Sequence, residues 1–124
     1  MPKPRPKHLN LAVIRFPVMA WVSGMHRVSG ALLFLFLPLL LWLWHRSIAS
    51  RETFDVFHNA LAQPLVKLVL LALLWAYLHH VCAGIRHLGL DLDLGTDLRP
   101  ARVSGWVVIM VSLALTTVIG AALW

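Results

Sequence analysis

The sequence predicts an all-α membrane protein with three transmembrane helices, and three observations carry that prediction. Of 124 residues, 60% are hydrophobic and only 13% are charged, against about 45–50% apolar and a quarter charged in a soluble domain. So short a chain cannot bury that surplus in a core of its own, so lipid must receive it. The apolar residues gather into three blocks, and the eleven Lys and Arg stand in ones and twos around those blocks. The net charge of +6 and the pI near 10.8 therefore read as membrane topology, with no nucleic acid implied. So few charges and so many large apolar groups also exclude disorder. One domain spanning residues 1–124 is expected.

Residues 1–16 form a polar tail in which Pro2, Pro4 and Pro6 alternate with Lys3, Arg5 and Lys7, as expected of an extended segment on a membrane surface. No signal peptide is expected, because the apolar stretch that follows is longer than an h-region and no small-x-small cleavage pattern follows it. The uncharged part of the first block, Ala31 to Trp44, has 14 residues and reaches only about 21 Å as a helix, short of a ~30 Å hydrocarbon core. A spanning helix must begin near Pro17 to Ala20 and take Ser23, His26 and Arg27 with it, which gives a first span over 18–44. Pro38 is expected to kink this helix without ending it.

The second block, spanning 65–87, follows Pro64, a favoured first-turn residue. Its clean part, Leu68 to Leu78, is again too short, so His79 and His80 are drawn to membrane depth. The third block, spanning 105–124, carries no charge from Trp106 to Trp124 and has a Trp at each end, like a pair of interfacial anchors. Between the first two spans lies an outer loop, 45–63, where Phe54, Phe57 and Leu61 are spaced for a short helix lying in the interface. Between the last two lies a cytoplasmic loop, 88–104. Lys and Arg are denser in the tail and second loop than in the first, so the N-terminus is expected in the cytoplasm and the C-terminus outside.

Two polar clusters fall toward the cytoplasmic side. In Ser23-Gly-Met-His-Arg-Val-Ser-Gly30, Ser23 and Arg27 share one helix face and His26 and Gly30 an adjoining one, and Gly24 and Gly30 allow close approach of another helix or a flat ligand. In His79-His-Val-Cys-Ala-Gly-Ile-Arg-His87, His80 and His87 share a face with Gly84 between them, where a bulky planar cofactor has room. His79 points about 100° away from His80, so the two cannot ligate one metal, and His79 is read as structural. Intramembrane ionisable groups usually mark function, although Arg27 and Arg86 are each near enough to a helix end to snorkel to the headgroups. His8, His45 and His58 read as surface residues and Cys82 as a packed thiol. The Ser112, Thr116 and Gly120 row reads as a packing seam.

With a single cysteine there is no disulfide framework, and this chain alone holds no iron–sulfur cluster and no covalent haem motif. No glycine-rich nucleotide loop is present. Buried neutral imidazoles with boundary arginines suit haem b, whose iron takes an imidazole and whose propionates take arginine or histidine. A quinone headgroup suits the remainder, since its carbonyls need donors such as Ser23 and Arg27.

At these residues the sequence resembles the cytochrome b membrane-anchor subunits of succinate dehydrogenase. The pattern S-x-x-H-R-x-[ST]-G is met by Ser23 to Gly30, and H-x-x-x-G-x-R-H-L-x-x-D by His80 to Asp91. The Arg15-Phe-Pro stretch, the length and the basic tail also match. Many members carry R-P-x-S-P-H-L in the tail where this chain has the shorter Arg5-Pro-Lys-His-Leu9, which leaves His8 without a role.

The resemblance implies that His80 is the axial ligand to one haem b shared with a second small anchor subunit, with the two subunits packing together. His26 and Arg27 would face the propionates, with His87 near them, and Ser23 and Arg27 would border a ubiquinone site. It implies an iron–sulfur subunit and a flavoprotein subunit as further partners, a bacterial inner membrane location, and no succinate chemistry in this chain. Three alternatives stand beside this: a self-contained cytochrome with His26 and His80 on one haem, a quinol:fumarate reductase anchor, and a structural anchor without cofactor.

Overall fold

A computed structural model describes residues 14–124, and the basic tail through Lys3, Arg5, Lys7 and His8 lies outside the described residues. Four helices follow in order, α1 over Val18–Ala49, α2 over Arg51–Leu61, α3 over Pro64–Asp91 and α4 over Leu98–Leu123. Three of them, α1, α3 and α4, are long and apolar enough to cross a membrane. At 1.5 Å per residue they extend about 48, 42 and 39 Å, so each projects beyond a ~30 Å core.

Each helix overruns its apolar block, for a physical reason. Leaving lipid ends the need for apolar side chains but does not break a backbone hydrogen bond, so a helix continues until a residue stops it. Nothing between His45 and Ala49 does so, and α1 runs through Pro38 and on to Ser50, which is extended at φ −160° and ψ 165°. Ser50 then caps the next helix. Its hydroxyl accepts from the Thr53 amide, its own amide donates to the Thr53 hydroxyl, and Ser50 is the single residue between α1 and α2. The region expected as an outer loop is thus mostly helix. Thr53, Phe57 and Leu61 of α2 turn toward the bundle, whereas Phe54 is 49% exposed, so the inward face is rotated from the one anticipated. Pro64 occupies the first turn of α3 as expected.

The expected 88–104 loop contracts to residues 92–97. The helix α3 continues to Asp91, and α4 starts at Leu98 with Pro100 inside its first turn, where a missing N–H costs nothing. Asp93 at φ 59° and Gly95 at φ 71° reverse the chain, and the Leu94 amide donates to the Gly89 carbonyl at 3.0 Å.

The helix α3 packs on both α1 and α4. The buried residues are mostly small, as expected where helix backbones must approach closely: Ala76 and Ala83 of α3, Ala101, Gly105, Val108, Ser112 and Gly120 of α4, and Val22 and Ser29 of α1. A Cβ on Gly105 would lie 3.4 Å from Val18, and one on Gly120 only 2.7 Å from Leu71. The Ser112, Thr116 and Gly120 row is therefore a seam, with Ser112 and Gly120 buried and Thr116 half-buried. At the far end the Lys67 ammonium sits 5.9 Å over the Trp124 ring. Most other large apolar side chains face outward, toward what surrounds the bundle.

Candidate functional site

The polar residues of α1 and α3 meet where these antiparallel helices cross. Each helix carries a histidine followed four residues later by a glycine, His26 and Gly30 on α1, His80 and Gly84 on α3. The crossing is reciprocal in pattern but unequal in tightness. A Cβ on Gly30 would lie 2.9 Å from His80 Cε1, too close to fit unless the ring moves, whereas one on Gly84 would stand 3.6 Å from His26 Nε2, an ordinary contact. The sequence reading left Gly84 free for a planar cofactor. That space is taken by His26, because i and i+4 residues on two antiparallel helices interdigitate at a close crossing.

His26 and His80 stack at 4.1 Å between ring centroids with 15° between planes. His87 lies on the other side, 5.1 Å from His26 and tilted by 45°. The sequence-predicted histidines His26, His80 and His87 are thus brought together as a stack running along α3, with His26 between the other two. Among the described residues no group of three His, Cys, Asp or Glu is arranged to hold a metal ion, so the stack is not a chelate.

His80 is held by hydrogen bonds from α1. Its Nδ1 lies 3.0 Å from the His26 carbonyl oxygen and 3.3 Å from Ser29 Oγ, and the Ser29 hydroxyl donates to that same carbonyl at 2.9 Å. A carbonyl only accepts, so the short contact requires the proton on Nδ1, and in the neutral ring the lone pair is then on Nε2. His80 is half-buried, and its Nε2 is not one of the enclosed, unpartnered nitrogens.

His79 contrasts with its neighbour. It is 0% exposed and packs beside Trp75 with ring centroids 5.3 Å apart. The Val22 backbone approaches it, but neither ring nitrogen reaches hydrogen-bond geometry, nor does Trp75 Nε1. Its enclosure within the chain's own helices accords with the structural role expected for it.

Arg27 is exposed and Ser23 half-buried, and among the described residues neither side chain has a hydrogen-bond partner. They flank the stack on α1 without joining it. Arg86 does not simply reach for headgroups. Its Nε donates to Ser104 Oγ at 2.9 Å and its guanidinium to the Ala101 carbonyl at 3.3 Å, tying α3 to α4. Ser29 is the residue whose part the sequence reading missed; its signal is the hydroxyl in the [ST]-G pair three residues after His26. Outside the site, His45 and His58 are exposed, as expected of surface residues, though both sit on helices.

Three long apolar helices with an imidazole stack at the crossing of two of them define an integral membrane helical subunit. The comparisons with known proteins give this class its family. Residues 1–119 match the succinate dehydrogenase/fumarate reductase transmembrane subunit family, and the chain belongs to it. It is 40% identical over 121 residues to the succinate dehydrogenase cytochrome b556 subunit of Coxiella burnetii, covering 97% of both chains. The protein of the same name from Rickettsia typhi is 33% identical, with 90% of this chain and 87% of the relative covered. That from Paracoccus denitrificans is 30% identical, with 90% and 85% covered. The chain is accordingly a multi-pass protein of the bacterial inner membrane and an anchor subunit that associates with other subunits of its complex.

Proposed function

We propose that this chain is the haem-binding, quinone-adjacent half of the membrane domain of a succinate dehydrogenase, and that His80 is its axial ligand to one haem b shared with a second small anchor subunit. The observation that carries the reading is the donation from His80 Nδ1 to the His26 carbonyl. A ligating histidine is typically held in this way through its other ring nitrogen, which fixes the tautomer and raises ligand basicity. The donor set therefore fits a haem: one imidazole whose neutral form, with Nδ1–H on the carbonyl, presents Nε2 as the ligand atom, bordered by His26, His87 and Arg27 as hydrogen-bonding partners for propionates. When bound, haem b supplies a one-electron store between the iron–sulfur relay and the quinone.

The chain's own residues orient and neutralise. His26 stacks against His80 and restricts its ring. Arg27, exposed and unpaired among the described residues, presents charge-assisted donors to a ubiquinone oxygen as negative charge develops on it, and Ser23, one turn before it on the same face, adds a neutral donor. Electrons reach this region from a flavoprotein subunit through an iron–sulfur subunit that docks on the cytoplasmic side, the side assigned to the α1 N-terminus by the charge distribution.

The parallel, face-to-face geometry of His26 and His80 at 4.1 Å disfavours the self-contained alternative. Two imidazoles on one iron point their nitrogens at it from opposite sides of a porphyrin, and stacked rings leave no space between them. A quinol:fumarate reductase anchor would use the same residues with electrons flowing in reverse.

His80→Leu tests the assignment in the purified complex. The expected result is loss of the low-spin haem absorbance, with haem retained in His79→Leu. A parent-like spectrum in His80→Leu would overturn the ligand assignment. Replacing Ser23, Arg27 and His80 with no change in haem content or quinone reductase rate would instead favour a cofactor-free anchor.

A further inference from the structure

We infer that Ser29, acting with the His26 main-chain carbonyl, fixes the tautomer and ring angle of His80, which makes Ser29 a positioning residue for the nitrogen assigned to iron; this rests on the reading of His80 as ligand. Ser29 is 3% exposed and carries a buried hydroxyl at a crossing where every polar atom needs a partner. Its proton goes to the His26 carbonyl at 2.9 Å. Its oxygen is then left 3.3 Å from His80 Nδ1 with lone pairs available. Because Nδ1 must itself be protonated to approach the same carbonyl at 3.0 Å, the three groups close into a triangle with one consistent set of proton positions.

The triangle has a chemical consequence. Two acceptors on Nδ1–H draw the proton away from the ring, increase the electron density at Nε2 and so stabilise the more positive state of a metal bound there. It also has a geometric one. The imidazole is held from α1 by an atom of the main chain and an atom of a short, buried side chain, neither of which has the rotamer freedom to follow the ring. The glycine next to Ser29 lets this happen, since a Cβ on Gly30 would strike the same ring at Cε1. Ser29 and Gly30 thus act on one imidazole by two means, a hydrogen bond and the absence of a side chain.

The test uses the intact purified complex. Ser29→Ala removes the hydroxyl and little volume, and is expected to shift the haem midpoint potential and the low-spin electron paramagnetic resonance g values from the parent's. Ser29→Thr keeps the hydroxyl and is expected to restore both. Parent potential and g values in Ser29→Ala overturn the inference. If that variant fails to accumulate, Ser29→Cys, which keeps a similar volume with a weaker hydrogen bond, takes its place, and an unshifted potential overturns the inference equally. His80→Leu run in parallel separates the two readings. Haem retained there defeats the ligand assignment, whereas haem lost there with no shift in the Ser29 variants defeats the positioning role alone.

Discussion

Glycines in this chain differ sharply in what they do, and the difference is set by the atom opposite each one. Gly24 has nothing within 4 Å of where a Cβ would stand, whereas Gly30 has the His80 ring at 2.9 Å. Both lie within α1, where glycine is about 1 kcal/mol poorer than alanine as a helix former. Alanine at position 24 is therefore expected to leave haem content at the parent level. Alanine at position 30 must push the imidazole off its hydrogen bonds, and haem per flavin in the purified complex is expected to fall well below the parent's. Equal haem in the two variants would count against a role for the crossing in holding His80. The contrast between His79 and His80 has the same local origin. One residue of offset on α3 turns the first imidazole into the chain's own core and the second onto the α1 crossing.

Element boundaries were the least legible part of the fold, for reasons particular residues make plain. The three long helices follow from the apolar blocks and from the need to carry Ser23, His26 and His80 into the membrane. Their ends do not, because charged residues such as Arg46, Arg99 and Arg102 mark where lipid stops and say nothing of the backbone. The real punctuation lies in Ser50, Pro64 and the 92–97 turn. Of the site, the residues were readable from spacing and motif, but their mutual geometry was not: periodicity within one helix cannot reveal which residue of another helix fills the gap over Gly84. The turn supplies a test of opposite signs. Gly95 holds φ 71°, so Gly95→Ala is expected to cost about 1–2 kcal/mol, whereas Gly89→Ala, in the last turns of α3 with open space at its Cβ, is expected to stabilise by a few tenths of a kcal/mol up to about 1. Unfolding of the complex in a denaturing detergent series measures both.

At the scale of the whole molecule, the α1 start and the 92–97 turn share one end of the bundle, as the contact between Gly105 and Val18 requires, and α2 occupies the other. The proposed orientation then has a direct check. With Cys82 replaced by Ser, a cysteine at Asp93 is expected to react with a membrane-impermeant maleimide only from the cytoplasmic side, and one at Asp55 only from outside. The reverse pattern would invert the topology and move the histidine stack away from the iron–sulfur subunit. The reciprocal crossing of His26 over Gly84 and His80 over Gly30 carries a last implication, for how the sequence can change. Two short stretches more than fifty residues apart behave as a lock and its key, cut from the same pattern. A side chain added at position 30 has to be answered by a change in the ring opposite, whereas position 84 admits a methyl group at ordinary contact distance, so the freedom to vary is narrow on one side of the lock and wider on the other.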